Sequence, residues 1–327
     1  GLALRRTLPG SHDEELAGDL NSLGLLLVRT GNYKPAVSHF QEAIERMKSV
    51  RGEHHTFIGQ IRNNLGWAYA NHEQWEEAIP HFREALANYD GVLAADHPFA
   101  LMAKGNFAQA LQSVGEREEA ERVYREVIGG FRSRYGERHA YVGHALNNYA
   151  MMMDDRDDGE RAESLYREAL SIYREQLGDD HPYVAVARHN LAGALRSAGR
   201  AAEAERECRA ALALRRRILR AGHPDIARST ELLGTLLTER GEFREAEPLL
   251  NESVAIRREA LPAGSAVTAH SELLLGLCLM ELDRNESAEE HLARASEDLS
   301  AAHGEDDART QRAATALDEV RNRGDAR

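Results

Sequence analysis

Apolar and polar positions alternate along this chain with the period of a helix, in blocks separated by short polar turns. In "DDHPYVAVARHNLAGALRSAGRAAEAERECRAALALRRRIL" (179–219), Val184, Ala187, Leu191 and Leu195 are spaced by three, four and four. That spacing places them on one face of a helix. Ala204, Cys208, Ala211, Leu212 and Leu219 form a second stripe of the same kind. Pro182 suits a first helical turn, where its missing N–H costs nothing. Gly199 suits the left-handed residue that ends a helix, and Gly31, Gly115 and Gly241 occupy the same slot. The block predicts a helix of about 17 residues, a tight turn and a second helix of similar length.

The block recurs every 42 residues. Leu23, Leu65, Phe107, Tyr149, Leu191, Leu233, Leu275 and Leu317 fall in one register. A small residue follows in all but the last: Gly24, Gly66, Ala108, Ala150, Ala192, Gly234 and Gly276. A second register holds Ala36, Ala78, Ala120, Ala162, Ala204, Ala246 and Ala288, and a third Phe40, Phe82, Tyr124, Tyr166, Cys208, Leu250 and Leu292. The small residues predict close approach of two helix backbones, with the large ones filling the space beside them. Burying each large side chain stabilises by about 1.5–3 kcal/mol. One hairpin cannot cover that surface alone, so neighbouring hairpins must stack.

These registers resemble the tetratricopeptide repeat. The large–small pair, the Ala and aromatic positions of the second helix, and a further Ala at 43, 85, 169 and 211 match its signature. "WEEAIPHFREAL" (75–86) and "FREAEPLLNESV" (243–254) are close to the family phrase. The usual period is 34 residues; at 42 this form is similar to the kinesin light chain type. The resemblance implies an all-α, right-handed superhelical solenoid of stacked antiparallel helix pairs. Residues 1–16 then form the tail of a preceding second helix plus a loop. Residues 17–304 form seven units, and 305–327 a capping helix and tail. "LALRRTLPGSHDE" near the start matches "LALRRRILRAGHPD" (212–225), one residue shorter, so the chain reads as part of a longer protein with a possible upstream domain.

Charge narrows the partners. The net charge of −13 disfavours nucleic acid and anionic membrane surfaces. The apolar run "LLLGLCLM" (273–280) is too short to span a bilayer. Cys208 and Cys278 give neither a disulfide framework nor zinc spacing, which suits a reducing cytoplasm. Lys occurs only at 34, 48 and 104 against many Arg, a bias of GC-rich, bacterial coding.

The candidate chemistry is sparse. No phosphate loop, serine elbow or carboxylate pair is present, so no catalytic residue and no cofactor is assigned and the chain reads as a non-enzyme. His55, His97, His139, His181 and His223 recur one repeat apart, too far to share a metal at about 2 Å. They are expected to cap or anchor the turns before the first helices. "DDRDDGERAE" (154–163) partly matches a calcium loop through Asp154, Asp158 and Gly159. Arg156 and Leu165 stand where ligands belong, and a solvated turn is expected. Cys208 aligns with aromatic residues and reads as core. Arg215, Arg216 and Arg217 are expected on an outer face.

In the resembled family the first helices line a concave groove. Just before the large–small pair this chain carries Asn64, Asn106, Asn148 and Asn190, flanked by Asn63, Asn147 and His189. Carboxamides can pair with the backbone of an extended peptide whatever its side chains. Kinesin light chain-like proteins use similar asparagines on cargo peptides. One turn on lie Trp67, Gln109 and Met151, candidates for apolar pockets. Arg62, Lys104 and Arg188 lie one turn before and suit an acidic ligand. After Asn190 the ladder gives way to Leu232 and Leu274, with Glu231 and Leu273 beside them, so an apolar contact surface is expected there. The function expected is peptide or protein binding by an adaptor or sensor module of a larger bacterial regulator. The alternatives are a scaffold for oligomerisation, and asparagines that only bridge repeats.

Overall fold

A computed structural model describes residues 12–154 and 158–325. The helical periodicity appears there as α-helices without strands among the described residues. The chain divides into two compact units, with the boundary between Met152 and Met153. The first unit contains α1 (Asp13–Arg29), α2 (Tyr33–Arg51), α3 (Thr56–Ala70), α4 (Trp75–Tyr89), α5 (Pro98–Ser113), α6 (Arg117–Tyr135) and nearly all of α7 (Ala140–Asp154). The second contains α8 (Gly159–Leu177), α9 (Pro182–Ser197), α10 (Ala201–Ile218), α11 (Pro224–Glu239), α12 (Phe243–Ala260), α13 (Ala266–Glu281), α14 (Asn285–His303) and α15 (Ala308–Asp325). Within the first unit α1 packs on α2, α3 on α4 and α5 on α6; within the second α9 packs on α10, α11 on α12 and α13 on α14. α2 also packs on α3, α4 on α5, α8 on α9, α10 on α11, α12 on α13 and α14 on α15, so these hairpins are covered by their neighbours.

The registers explain the packing. The seven alanines of the second helices are fully buried. A Cβ added at Gly66 would lie 2.8 Å from the Phe82 ring, and one at Gly276 2.6 Å from Leu292. The space freed by the missing side chain is therefore filled by the large residue of the partner helix. Phe40, Phe82, Tyr124 and Tyr166 are all buried there.

Turn chemistry sets the hairpins. Gly31, Gly115, Gly199 and Gly241 sit at φ of 76°, 88°, 71° and 76°, the left-handed conformation expected of helix-ending glycine. The same slot is held by Glu73 at φ 60° and Asp283 at φ 58°, where a side chain is strained. The slot at 157 lies outside the described residues, as do Arg156 of the calcium-like stretch and residues 1–11 of the expected leading tail.

The periodic histidines are N-caps. Nδ1 of His55, His97, His139, His181 and His223 accepts a hydrogen bond from the backbone N–H two residues on, at 3.2, 3.2, 3.2, 3.1 and 3.1 Å. An accepting Nδ1 requires the neutral ring with its proton on Nε2. One otherwise unsatisfied N–H of α3, α5, α7, α9 and α11 is paired in this way.

Ion pairs link successive hairpins of the second unit in the same period. Glu163 accepts from Arg167 of its own helix at 2.8 Å and from Arg200, beside the next second helix, at 2.6 Å. Glu205 pairs likewise with Arg209 at 2.8 Å and with Arg240. Glu247 pairs with Arg284, and Glu289 accepts from Arg321 at 2.8 Å. Glu163, Glu205 and Glu247 are less than one-fifth exposed, so solvent screens these contacts less than an ordinary surface pair.

Candidate functional site

The first helices contact one another directly, α1 with α3 and α3 with α5 in the first unit, α9 with α11, α11 with α13 and α13 with α15 in the second. Helical periodicity leaves one stripe of each between its packed faces. On α3 the stripe holds Asn63, Asn64 and Trp67; on α5, Met102, Asn106 and Gln109; on α7, Asn148 and Met151. Trp67 is 36% exposed and Met151 40%, and Gln109 is also exposed. Met102, at 49%, joins them one turn before Asn106 and was missed from sequence. Its signal was helical spacing, since Met102 lies four residues before Asn106 and so on the same face.

The asparagines of the first unit bridge repeats. Asn64 donates through Nδ2 to Asn21 Oδ1 at 2.9 Å, and Asn106 to Asn63 Oδ1 at 3.0 Å. Each bridge occupies one of two amide hydrogens and leaves the donor's own carbonyl oxygen without a partner. Both residues are half-buried, as is Asn148. Asn147 is buried, with Nδ2 3.9 Å from the Met151 sulfur.

The cations beside this stripe are neutralised. Arg62 Nε lies 3.1 Å from Glu84 and its Nη1 donates to Asn88 Oδ1 at 2.7 Å. Lys104 pairs with Glu126 at 3.0 Å, and in the second unit Arg188 pairs with Glu207 at 2.5 Å. In each case the acid comes from the second helix of the same hairpin. Sequence spacing alone gave no view of these partners.

In the second unit the stripe changes character. Asn190 and His189 of α9 are half-buried. The Nδ1 of His189 is buried without a partner. Burial, reinforced by the charges of Arg215 and Arg228, pushes this ring down to about 3, so it is neutral at physiological pH. Glu231, one repeat after His189, is held by Arg257 and accepts from Ser271 Oγ at 2.6 Å. Leu232 and Leu274 are half-buried, whereas Leu273 is fully buried and offers no contact surface.

One expectation is overturned. Arg215 is not on an outer face but in the core, 2% exposed. Its guanidinium donates to Ser229 Oγ at 2.6 Å and to the Asp225 carbonyl at 2.9 Å. Arg216 and Arg217 do face solvent, paired with Glu252 and Asp180. The register carried the signal: stepping back by 42 from Arg215 gives Tyr173, Phe131, Tyr89 and Met47, all buried. Arg257 continues the series and is likewise buried.

Burial pushes the Cys208 thiol up to about 12, and its Sγ lies 3.5 Å from the Ser229 carbonyl. Among the described residues no group of three His, Cys, Asp or Glu is placed to hold a metal ion, and no helix is long and apolar enough to cross a membrane.

Comparison with known proteins follows this geometry. The tetratricopeptide repeat profile matches residues 14–91, 72–133, 99–174, 141–206 and 183–259, well over half of the chain. No curated protein sequence matches. Among solved structures, the kinesin light chain-like repeats of Podosopora anserina are similar at 23% identity and a TM-score of 0.52, covering 63% of this chain and 98% of that one. BtubC (BKLC) from P. vanneervenii is similar at 22% identity and a TM-score of 0.58, covering 69% and 89%. A Rap protein complexed with competence and sporulation factor gives 12% identity and a TM-score of 0.57 over 94% and 98%. At these identities the structural likeness concerns the fold.

Proposed function

The chain belongs to the tetratricopeptide-repeat family, whose members serve protein–protein interaction, and from that premise we propose that it is a non-catalytic module binding an extended peptide along its first helices. The single observation that carries this reading is the run of exposed Trp67, Gln109 and Met151 at three successive 42-residue steps. Each stands one turn from a half-buried asparagine, Asn64, Asn106 or Asn148. Asn63 and Asn147 stand beside this run in the first unit, and Arg188, His189 and Asn190 on α9 are proposed as site residues of the second unit by itself.

Bridging and binding are compatible in this arrangement. A carboxamide tied to its neighbour by one hydrogen is held in place, and its free carbonyl can accept from a peptide N–H. The apolar side chains supply adaptable contact area, Met above all. The Rap neighbour, solved complexed with competence and sporulation factor, supports ligand binding by this fold. The cellular setting proposed is the cytoplasm, as the adaptor or sensor part of a larger bacterial regulatory protein.

The test is selection of peptides from a random display pool on the full chain, followed by affinity measurement on a variant with Asn64, Asn106 and Asn148 all changed to Ala. Capture is expected to fall at least tenfold while the helical circular dichroism persists. Unchanged affinity of the selected peptides would remove the asparagine face as their site.

A further inference from the structure

The second unit contains the same buried polar cluster twice, once complete and once lacking its carboxylate. In the complete copy Arg257 of α12 stands where three earlier hairpins have aromatic residues, Tyr89, Phe131 and Tyr173. It donates to Ser271 Oγ at 2.5 Å and to the Val267 carbonyl at 2.9 Å, both on α13. Its charge is met by the two carboxylate oxygens of Glu231 on α11, Nη2 to Oε1 at 3.1 Å and Nη1 to Oε2. The other copy lies 42 residues earlier. Arg215 of α10 makes the same pair of bonds, to Ser229 Oγ at 2.6 Å and the Asp225 carbonyl at 2.9 Å, both on α11.

The counterpart of Glu231 in that copy is His189. Its ring is neutral, and its buried Nδ1 has no partner. Among the described residues no carboxylate oxygen lies within 4.0 Å of the Arg215 guanidinium, whose hydrogen bonds go to neutral oxygens. A second cation stands beside it. Arg228 is exposed, on the same stretch of α11 as Asp225 and Ser229, and its ion pair with Asp225 is loose at 3.7 Å. Two guanidinium groups thus share one distant carboxylate.

We propose that Arg215, Ser229, Arg228 and His189 form a carboxylate-binding site, in which an acidic side chain or the C-terminus of a peptide ligand takes the place that Glu231 fills one hairpin later. The physical drive is the desolvation cost of a buried guanidinium without a counter-charge. A planar fork with free donors matches a carboxylate in geometry as well as charge. Arg228 meets the ligand first because it is exposed. Arg215 is reached behind it when the His189 ring, which no hydrogen bond through Nδ1 holds, turns aside. Only the peptide nature of the ligand rests on the function proposed above.

The chain itself suggests the control variant. In the preceding hairpin the positions of Arg215 and Ser229 are Tyr173 and Ala187, both buried in an apolar core. The experiment follows histidine ring resonances of the full chain by NMR during titration with N-acetylglutamate N-methylamide and, separately, its glutamine isostere. The expected result is a saturable shift of the His189 signals with the glutamate compound and at least tenfold weaker binding of the glutamine one. Arg228→Gln should weaken the glutamate response about fivefold, and Arg215→Tyr combined with Ser229→Ala should abolish it. Equal response to both compounds, no saturable shift in the wild type, or an unaltered response in Arg228→Gln would each overturn the site. Should the double variant fail to fold, the Arg228→Gln titration decides. Peptide capture by the asparagine face is measured on a different variant. A silent carboxylate titration with capture intact would therefore remove this site alone, and the reverse result would remove the peptide reading alone.

Discussion

Arg215 and Ser229 meet inside the second unit, Nη1 to Oγ at 2.6 Å, where every earlier hairpin places an apolar pair or an aromatic ring over alanine. The two residues act as a unit, because neither is satisfied without the other. Ser229→Ala leaves the guanidinium with one backbone acceptor and should cost about 1–3 kcal/mol. Arg215→Tyr alone should overpack against the hydroxyl and also destabilise. The double change restores the Tyr173–Ala187 combination and should be more stable than either single variant. A double-mutant cycle by urea unfolding measures the coupling, and additive losses would contradict it.

The capping histidines make a separable prediction. His97→Ala removes the acceptor of the Phe99 N–H and should cost about 1 kcal/mol, whereas His97→Asp or His97→Ser, both able to cap, should stay near wild type. Thermal unfolding of the three variants distinguishes a cap from a merely exposed ring, which all three would treat alike.

Two turns carry strain that can be relieved. Glu73 and Asp283 occupy the left-handed slot that Gly fills in the turns at 31, 115, 199 and 241. Glu73→Gly and Asp283→Gly should each raise the unfolding free energy by up to about 1 kcal/mol, since the steric cost of a Cβ at positive φ exceeds the entropic cost of glycine. A lower denaturation midpoint in either variant would argue against strain at that turn.

Acid should weaken the fold through its buried histidines. His189 is held down to about 3 by burial and neighbouring arginines, and burial also lowers His81 and His270. A depressed histidine leaves stability complete above its unfolded value of 6.5. As pH falls below 6.5 the unfolded chain takes up protons that the native state refuses, so stability declines. For His189 alone the loss at pH 5 is about 2 kcal/mol. His189→Gln should flatten the pH dependence of unfolding between 6.5 and 5, and an unchanged slope would show that this ring is not the titrating group.

The ion-pair ladder should respond to salt. Glu205→Gln breaks links to Arg209 and Arg240 and should cost about 1 kcal/mol at low ionic strength and less in 1 M salt. Equal losses at both salt concentrations would point to packing instead of charge.

Much of this molecule was legible before any coordinates. The 42-residue recurrence sets which residues face inward, because helical periodicity converts spacing directly into direction. Thus Leu65 with Gly66, the alanines from Ala36 to Ala288, the turn glycines and the capping histidines all stand where their registers place them. Pairing was not legible. That Asn106 bridges to Asn63 was fixed only by the distance between neighbouring helices. Arg62, Lys104 and Arg188 looked like free cations until acids from the second helices closed on them.

Arg215 marks the boundary between the two kinds of knowledge. Its position in the core followed from the register of Met47, Tyr89, Phe131 and Tyr173, but the charge of three successive arginines argued for solvent. Sequence alone determined the stacked hairpins, since burial of apolar area depends only on which side chains share a face. Tertiary structure decided which charges are neutralised and which amides are engaged. Those depend on separations of a few ångströms between groups far apart in the chain, and no periodicity encodes such separations.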